Sequence, residues 1–276
     1  MRSLWTIERV TAVVLERAEQ GDPLMPSALT FLVRRYLAAS EPDVSGVLGY
    51  ALAGALAQPF GESSTLERAA WLRAFVEAIA VSEDPRLAET ARDLIAGLAA
   101  EWPTLTRIGD AAPSIEAGLV ASHLVDPREL VPRAIDELER IVGAVYHPGQ
   151  RVGDVADHVC LASALLTAYE ATGRLPYSML AEELMQAHHV HFGPCSSGTE
   201  VHNFTVGCDA VRVWSRLAAL HDDEAYRSAA VIKADAAYRA DALRMLEQLS
   251  TALDDPRVDA ARYGLALDEF HARRSS

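Results

Sequence analysis

Leu161–Tyr177 reads LASALLTAYEATGRLPY, and Ala210–Tyr226 reads AVRVWSRLAALHDDEAY. Each runs from an apolar helix through a polar turn to a tyrosine near the start of the next helix. Trp71–Leu87, WLRAFVEAIAVSEDPRL, has the same form with leucine in place of the tyrosine. A unit that recurs as helix, tight turn, helix is a helical hairpin, and hairpins in tandem predict an all-α chain.

The rest of the chain extends that reading. Leu87, Ala91, Leu94, Ile95 and Leu98 fall on one helical stripe that Arg86, Glu89, Arg92 and Asp93 avoid. Leu130, Ile135, Leu138, Ile141 and Val142 do the same against Arg133, Asp136, Glu137 and Glu139. No segment alternates convincingly like a strand between hairpin turns. Half of the residues are hydrophobic, yet only 7% are aromatic. Alanine and leucine supply most of that apolar content, which favours helix over sheet.

The breaks between helices are of two kinds. The short ones carry acid or proline: Ser40–Asp43, Ser82–Pro85, Val125–Pro127, Thr172–Pro176, His221–Glu224 and Asp254–Pro256. Asp or Ser there supplies a capping oxygen, and proline fits a first helical turn. The long ones are rich in Gly, Pro and His: Gln58–Thr65, Pro103–Ser114, His147–Gly153 and Phe192–Asn203. Pairs therefore open near Pro26, Thr65, Pro113, Gly153, Phe204 and Pro256, at intervals of about 40 to 50 residues. The helices from Pro113 and Gly153 carry few charges, which predicts burial on both sides, whereas their followers from Pro127 and Leu175 are amphipathic. An inner and an outer layer result. Val44–Ala57 sits awkwardly in this scheme, being almost uncharged where an outer helix is expected. Asp223–Leu253 has room for two helices.

With the helix over Leu4–Gln20 the count is about twelve, or six hairpins in one domain spanning 1–276. That arrangement resembles the (α/α) toroid of the six-hairpin glycosidase-like superfamily, in which the last helix pairs with the first. The segments Asp157–Gly173 and Asn203–Tyr226 resemble repeats in the toroid half of certain thioredoxin-domain proteins and in N-acylglucosamine 2-epimerase-type enzymes. The likeness is strongest from His147 to Tyr226. It implies a compact toroid whose long loops gather at one end and hold the site. The thioredoxin-like domain itself has no counterpart here, and no epimerase histidine is carried over. An open α-solenoid is the alternative architecture.

Charge narrows the partners. A net charge of −14 repels phosphate backbones and anionic membrane surfaces, so neither nucleic acid nor membrane is expected as a partner. The start, MRSLWTIER, reads as neither a secretory signal nor a membrane span. Three widely spaced cysteines, Cys160, Cys195 and Cys208, make no disulfide framework, and the cytoplasm is the expected location.

Reactive side chains concentrate in two places. One is His188, His189, His191, Phe192 and Cys195, followed by Glu200, His202, Cys208 and Asp209; the other is Tyr146, His147, Asp154, Asp157 and His158. Asp157, His158, Glu200, His202 and Asp209 are the candidates for acid–base catalysis on a small polar ligand, a carbohydrate or metabolite. Tyr146, His147, Phe192 and Trp214 are the candidates for holding it. His188, His191 and Cys195 could ligate a borderline metal, but they lack a standard ligand spacing, and no metal or other cofactor is expected. The plain alternative is structural, with Asp154 a helix cap, Asp209 a first-turn carboxylate and Cys160 and Cys208 buried small hydrophobes. Asp222-Asp223 lies in a turn and lacks the third acid of a terpene-synthase motif. No Walker loop, dinucleotide fingerprint or G-x-S-x-G elbow is present. Two classes of function follow: a toroid acting on a small polar ligand, or a non-catalytic helical-repeat module that meets a partner protein or a second copy of itself.

Overall fold

Asp84, Asp126 and Asp154 each accept a hydrogen bond from a backbone N–H of the helix that follows, and Ser64 does the same for Glu67. These caps satisfy first-turn donors that have no partner within the helix. They set the punctuation of an all-α chain. The structure is a computed structural model that describes residues 5–20, 25–39, 42–147, 153–186, 200–230 and 237–272, and for Glu200 the backbone alone. Among the described residues there are thirteen α-helices and no strand. They are α1 (Ile7–Glu19), α2 (Pro26–Ala39), α3 (Pro42–Leu56), α4 (Thr65–Ala78), α5 (Pro85–Glu101), α6 (Ile108–Val120) and α7 (Pro127–Val145), then α8 (Val155–Thr172), α9 (Leu175–Gln186), α10 (Glu200–Asp222), α11 (Glu224–Ala230), α12 (Tyr238–Leu249) and α13 (Ala260–Ala272).

The chain divides into two compact units, Thr11–Pro148 and Gly149–Ser276 with Met1–Val10. In the first, α2, α4 and α6 pack side by side as one row, and each has its hairpin partner, α3, α5 or α7, against it. Phe31, Trp71, Leu72, Phe75 and Ile115 of the row are fully buried. Trp71 stacks on Phe75 at 5.7 Å, and Phe60 meets both rings edge-on. Ile108, Ala111, Ala112, Ser114, Ile115, Glu116, Ala117, Gly118 and Leu119 are all buried, so α6 is covered nearly all round, as its composition predicts. Arg133 and Arg140 of α7 donate to the carbonyls of Ala99 and Trp102, satisfying acceptors that the end of α5 leaves open.

The second unit repeats the plan. α8, α10 and α13 form the row, with α9 against α8 and α11 and α12 against α10. His158, Val159, Leu161, Ala162 and Ala164–Ala168 are buried on α8. The turn to α9 passes through Gly173 at φ 70°, a left-handed cap that glycine adopts without strain.

α3 resolves the awkward segment. Val44, Leu48, Ala51 and Ala55 form its buried stripe, while Ser45, Gly46, Gly49, Tyr50, Ala53 and Gly54 are exposed. Apart from Tyr50 its exposed face consists of glycine, serine and alanine, and Asp43 is its one charged residue, so α3 is an outer helix without looking like one.

Three helix starts differ from the sequence expectation. α6 begins at Ile108 and carries Pro113 within it. Burial of Ile108, Ala111 and Ala112 in the added turn offsets the hydrogen bond that proline cannot donate. α10 begins at Glu200, one turn before Phe204. α13 begins at Ala260, four residues after Pro256. Asp255 and Asp259 both look like caps, but Asp255 turns back on Arg257 while Asp259 accepts from the Arg262 N–H. No described helix is long and apolar enough to cross a membrane.

Candidate functional site

The sequence candidates within the described residues lie at the end of α7, at the start of α8 and along α10. Asp154 and Asp157 form a reciprocal capping box at the start of α8: Asp157 N–H donates to Asp154 Oδ1 at 2.9 Å, and Asp154 N–H donates to Asp157 Oδ2 at 3.3 Å. Gly153 lets the box close. Its φ is 60°, and an added Cβ would lie 2.2 Å from Asp157 Oδ2. His158, the next residue, is 1% exposed within the α8 core. His202 is exposed on the first turn of α10. Asp209 lies about two turns further along, beyond the first turn, and its Oδ2 is 2.9 Å from Arg262 Nη1 on α13. Trp214 is buried. Tyr146, half-buried, and His147, exposed, end α7 in the other unit. Phe192, His188, His191 and Cys195 lie outside the described residues, as does the Glu200 side chain.

Among the described residues no three His, Cys, Asp or Glu side chains are grouped so as to hold a metal. Burial, followed by the neighbouring Asp209 carboxylate, pushes the Cys208 thiol well above its usual range. That thiol stays protonated and packs as a small hydrophobe. Asp223, from the discarded aspartate-rich motif, accepts from the N–H groups of Ala225 and Tyr226 and so caps α11.

Two arrangements emerge that sequence reasoning missed. The first joins the rows. Arg34 of α2 makes a two-pronged contact with Glu77 of α4 at 2.8 and 2.7 Å, and Arg73 of α4 meets Glu116 of α6 at 2.9 Å. In the second unit Arg216 of α10 reaches Glu170 of α8, and its guanidinium also donates to Thr167 Oγ1 at 3.0 Å and the Ser163 carbonyl at 3.1 Å. Arg212 and Glu269 then join α10 to α13 at 2.9 Å, beside the Asp209–Arg262 pair. Every packed pair of neighbours within a row is thus bridged by arginine and carboxylate. Several of these side chains are only half-buried: Arg34 keeps 27% of its surface, and Glu77, Arg73, Asp209 and Arg262 keep 30% each. The polar seams therefore reach water. Five arginines face five carboxylates, so the seams cancel their own charge within a strongly acidic chain.

A signal for these residues did exist. Aligning the three opening segments places Arg73, Ser163 and Arg212 at the third position, and Glu77, Thr167 and Arg216 at the seventh. Positions four apart share a helix face. Arg216 bonds across the seam to Thr167, its counterpart in the neighbouring repeat, and to Ser163, the counterpart of Arg212.

The second arrangement is a buried cluster at the far end of α10. Glu182 of α9 accepts hydrogen bonds from Tyr238 Oη at 2.9 Å and Gln186 Nε2 at 3.2 Å. His221 Nε2 lies 3.0 Å from the same carboxylate oxygen, within ion-pair distance but out of line for a hydrogen bond. The edge of its ring meets Tyr238 at 5.1 Å. Burial pushes the phenols of Tyr238 and Tyr226 upward, so both remain protonated. A shallow depression lined by Ser215, Ala218, Arg239 and Phe270 lies beside this region and encloses no space large enough for a water molecule. Small-molecule sites usually exceed roughly 300 Å³.

A further ion pair carries a pH prediction. Arg68 donates to both oxygens of Glu101 at 2.7 and 2.6 Å and holds its carboxyl below the ordinary value of 4.5, Thr65 adding a hydrogen bond against the opposing effect of burial. A depressed carboxyl contributes stability in full above its unfolded pKa and loses it as pH falls through the folded value. The melting-temperature gap between the native chain and Arg68→Ala should therefore be widest near pH 6 and shrink steadily below pH ~4.5. A gap that is constant down to pH 3 would show that the pair has no such role.

No protein-family model matches this sequence, and no curated protein is detectably similar to it.

Proposed function

We propose that the chain is a closed (α/α)6-type array, a cytoplasmic protein that binds a small, polar, uncharged ligand such as a carbohydrate or neutral metabolite. The observation that carries the proposal is the set of self-neutralised, water-reaching arginine–carboxylate seams along the rows. Three helices in each unit, α2, α4, α6 and α8, α10, α13, supply the six inner helices that such an array requires. The first turn of α1, Ile7–Val10, groups with the unit that contains α13, and Arg9 lies 3.6 Å from Asp254 in the turn before it. That association supports α1 as the outer partner of α13. Alternating guanidinium donors and carboxylate acceptors suit vicinal hydroxyls, and a neutral ligand leaves the charge balance undisturbed. Of the described acid–base candidates, His202 is the best placed to meet a ligand, because it is exposed whereas Asp157 and Asp209 are half-buried and His158 is buried.

The test is a thermal-shift screen of neutral sugars and polyols against anionic and cationic metabolites, repeated on Arg212→Ala. A neutral ligand at 100 times its Kd should add about 2.7 kcal/mol of stability. Arg212→Ala should weaken that response at least tenfold. Stabilisation by anions alone would overturn the proposal, as would a neutral-ligand response that Arg212→Ala leaves intact.

A second reading is an open array that presents a surface to a partner protein. The exposed face of α3, with Tyr50 at 79% and nearby Leu37 of α2 at 58%, favours it.

A further inference from the structure

We draw no further inference here: the strongest candidate, the uncharged outward face of α3 around Gly49 and Tyr50, already supports the second reading of function, and nothing in the structure shows what covers it.

Discussion

Arg73→Ala should destabilise the chain by about 2–4 kcal/mol, far more than its place at a half-exposed position suggests. The reason lies in its partner. Glu116 keeps only 4% of its side chain exposed, so removing Arg73 leaves a buried carboxylate without the cation that lies 2.9 Å away. The Coulombic part of the pair is screened by the water that reaches Arg73, but the cost of keeping Glu116 dry is not. Arg34→Ala provides the control. Its partner Glu77 is 30% exposed and can be solvated, so that change should cost about 1 kcal/mol or less. The double substitution Arg73→Met with Glu116→Leu should recover most of the loss, because an apolar pair of similar volume escapes the desolvation cost. Urea midpoints of the four proteins check the ordering. Equal midpoints for Arg73→Ala and Arg34→Ala would show that Glu116 does not depend on the seam.

The other large effect is expected at Gly118, in the last turn of α6, where the better helix propensity of alanine would ordinarily favour the change. Here the sign should reverse. A Cβ at Gly118 would lie 2.5 and 2.8 Å from Cζ2 and Cη2 of Trp102. The indole is 1% exposed, and its Nε1 donates to Ser114 Oγ at 2.9 Å, so it cannot move aside without losing that bond. Overpacking of this kind costs about 1–3 kcal/mol, and Gly118→Ala should lie at the upper end. Gly49→Ala on α3 has open space around the added methyl and should be neutral or stabilising. A Gly118→Ala protein that melts no lower than the parent would refute the packing described for α6 against Trp102.

These two positions also show what the sequence carries and what it leaves hidden. The hairpins were legible because their punctuation is local: an Asp before a Pro, or a Gly after Thr172, fixes a helix end without reference to anything distant. The same local signals misled where two competed, as with Asp255 and Asp259 ahead of α13. Pro113 misled for another reason, since the contacts that extend α6 upstream of it are tertiary. α3 looks out of place because its exposed face is built of glycine, serine and alanine around Tyr50 and carries almost no charge. Candidate chemistry was sought where His and Cys are dense along the chain. The fold instead assembled polar groups from distant turns: Tyr238 meets Glu182 across 56 residues. Nothing in either local segment announces that contact. The row seams were more accessible, since the repeat alignment already held Arg73, Arg212 and Arg216 in register. Reading them as seam residues needed the knowledge that those helices are neighbours.

The distance from α2 to α13 tests the proposed closure of the array most directly. Spin labels at Ala38→Cys and Ala272→Cys, in a background with Cys160, Cys195 and Cys208 replaced by alanine, report that distance by pulsed electron resonance. Both positions are exposed, at the C-terminal ends of α2 and α13. Neighbouring helices pack with axes about 8–10 Å apart, so a closed ring predicts a narrow distribution centred near ~15–25 Å once the label arms are included. An open row of six helices at that spacing would separate the labels by roughly 40–50 Å, and a distribution centred there would contradict the account.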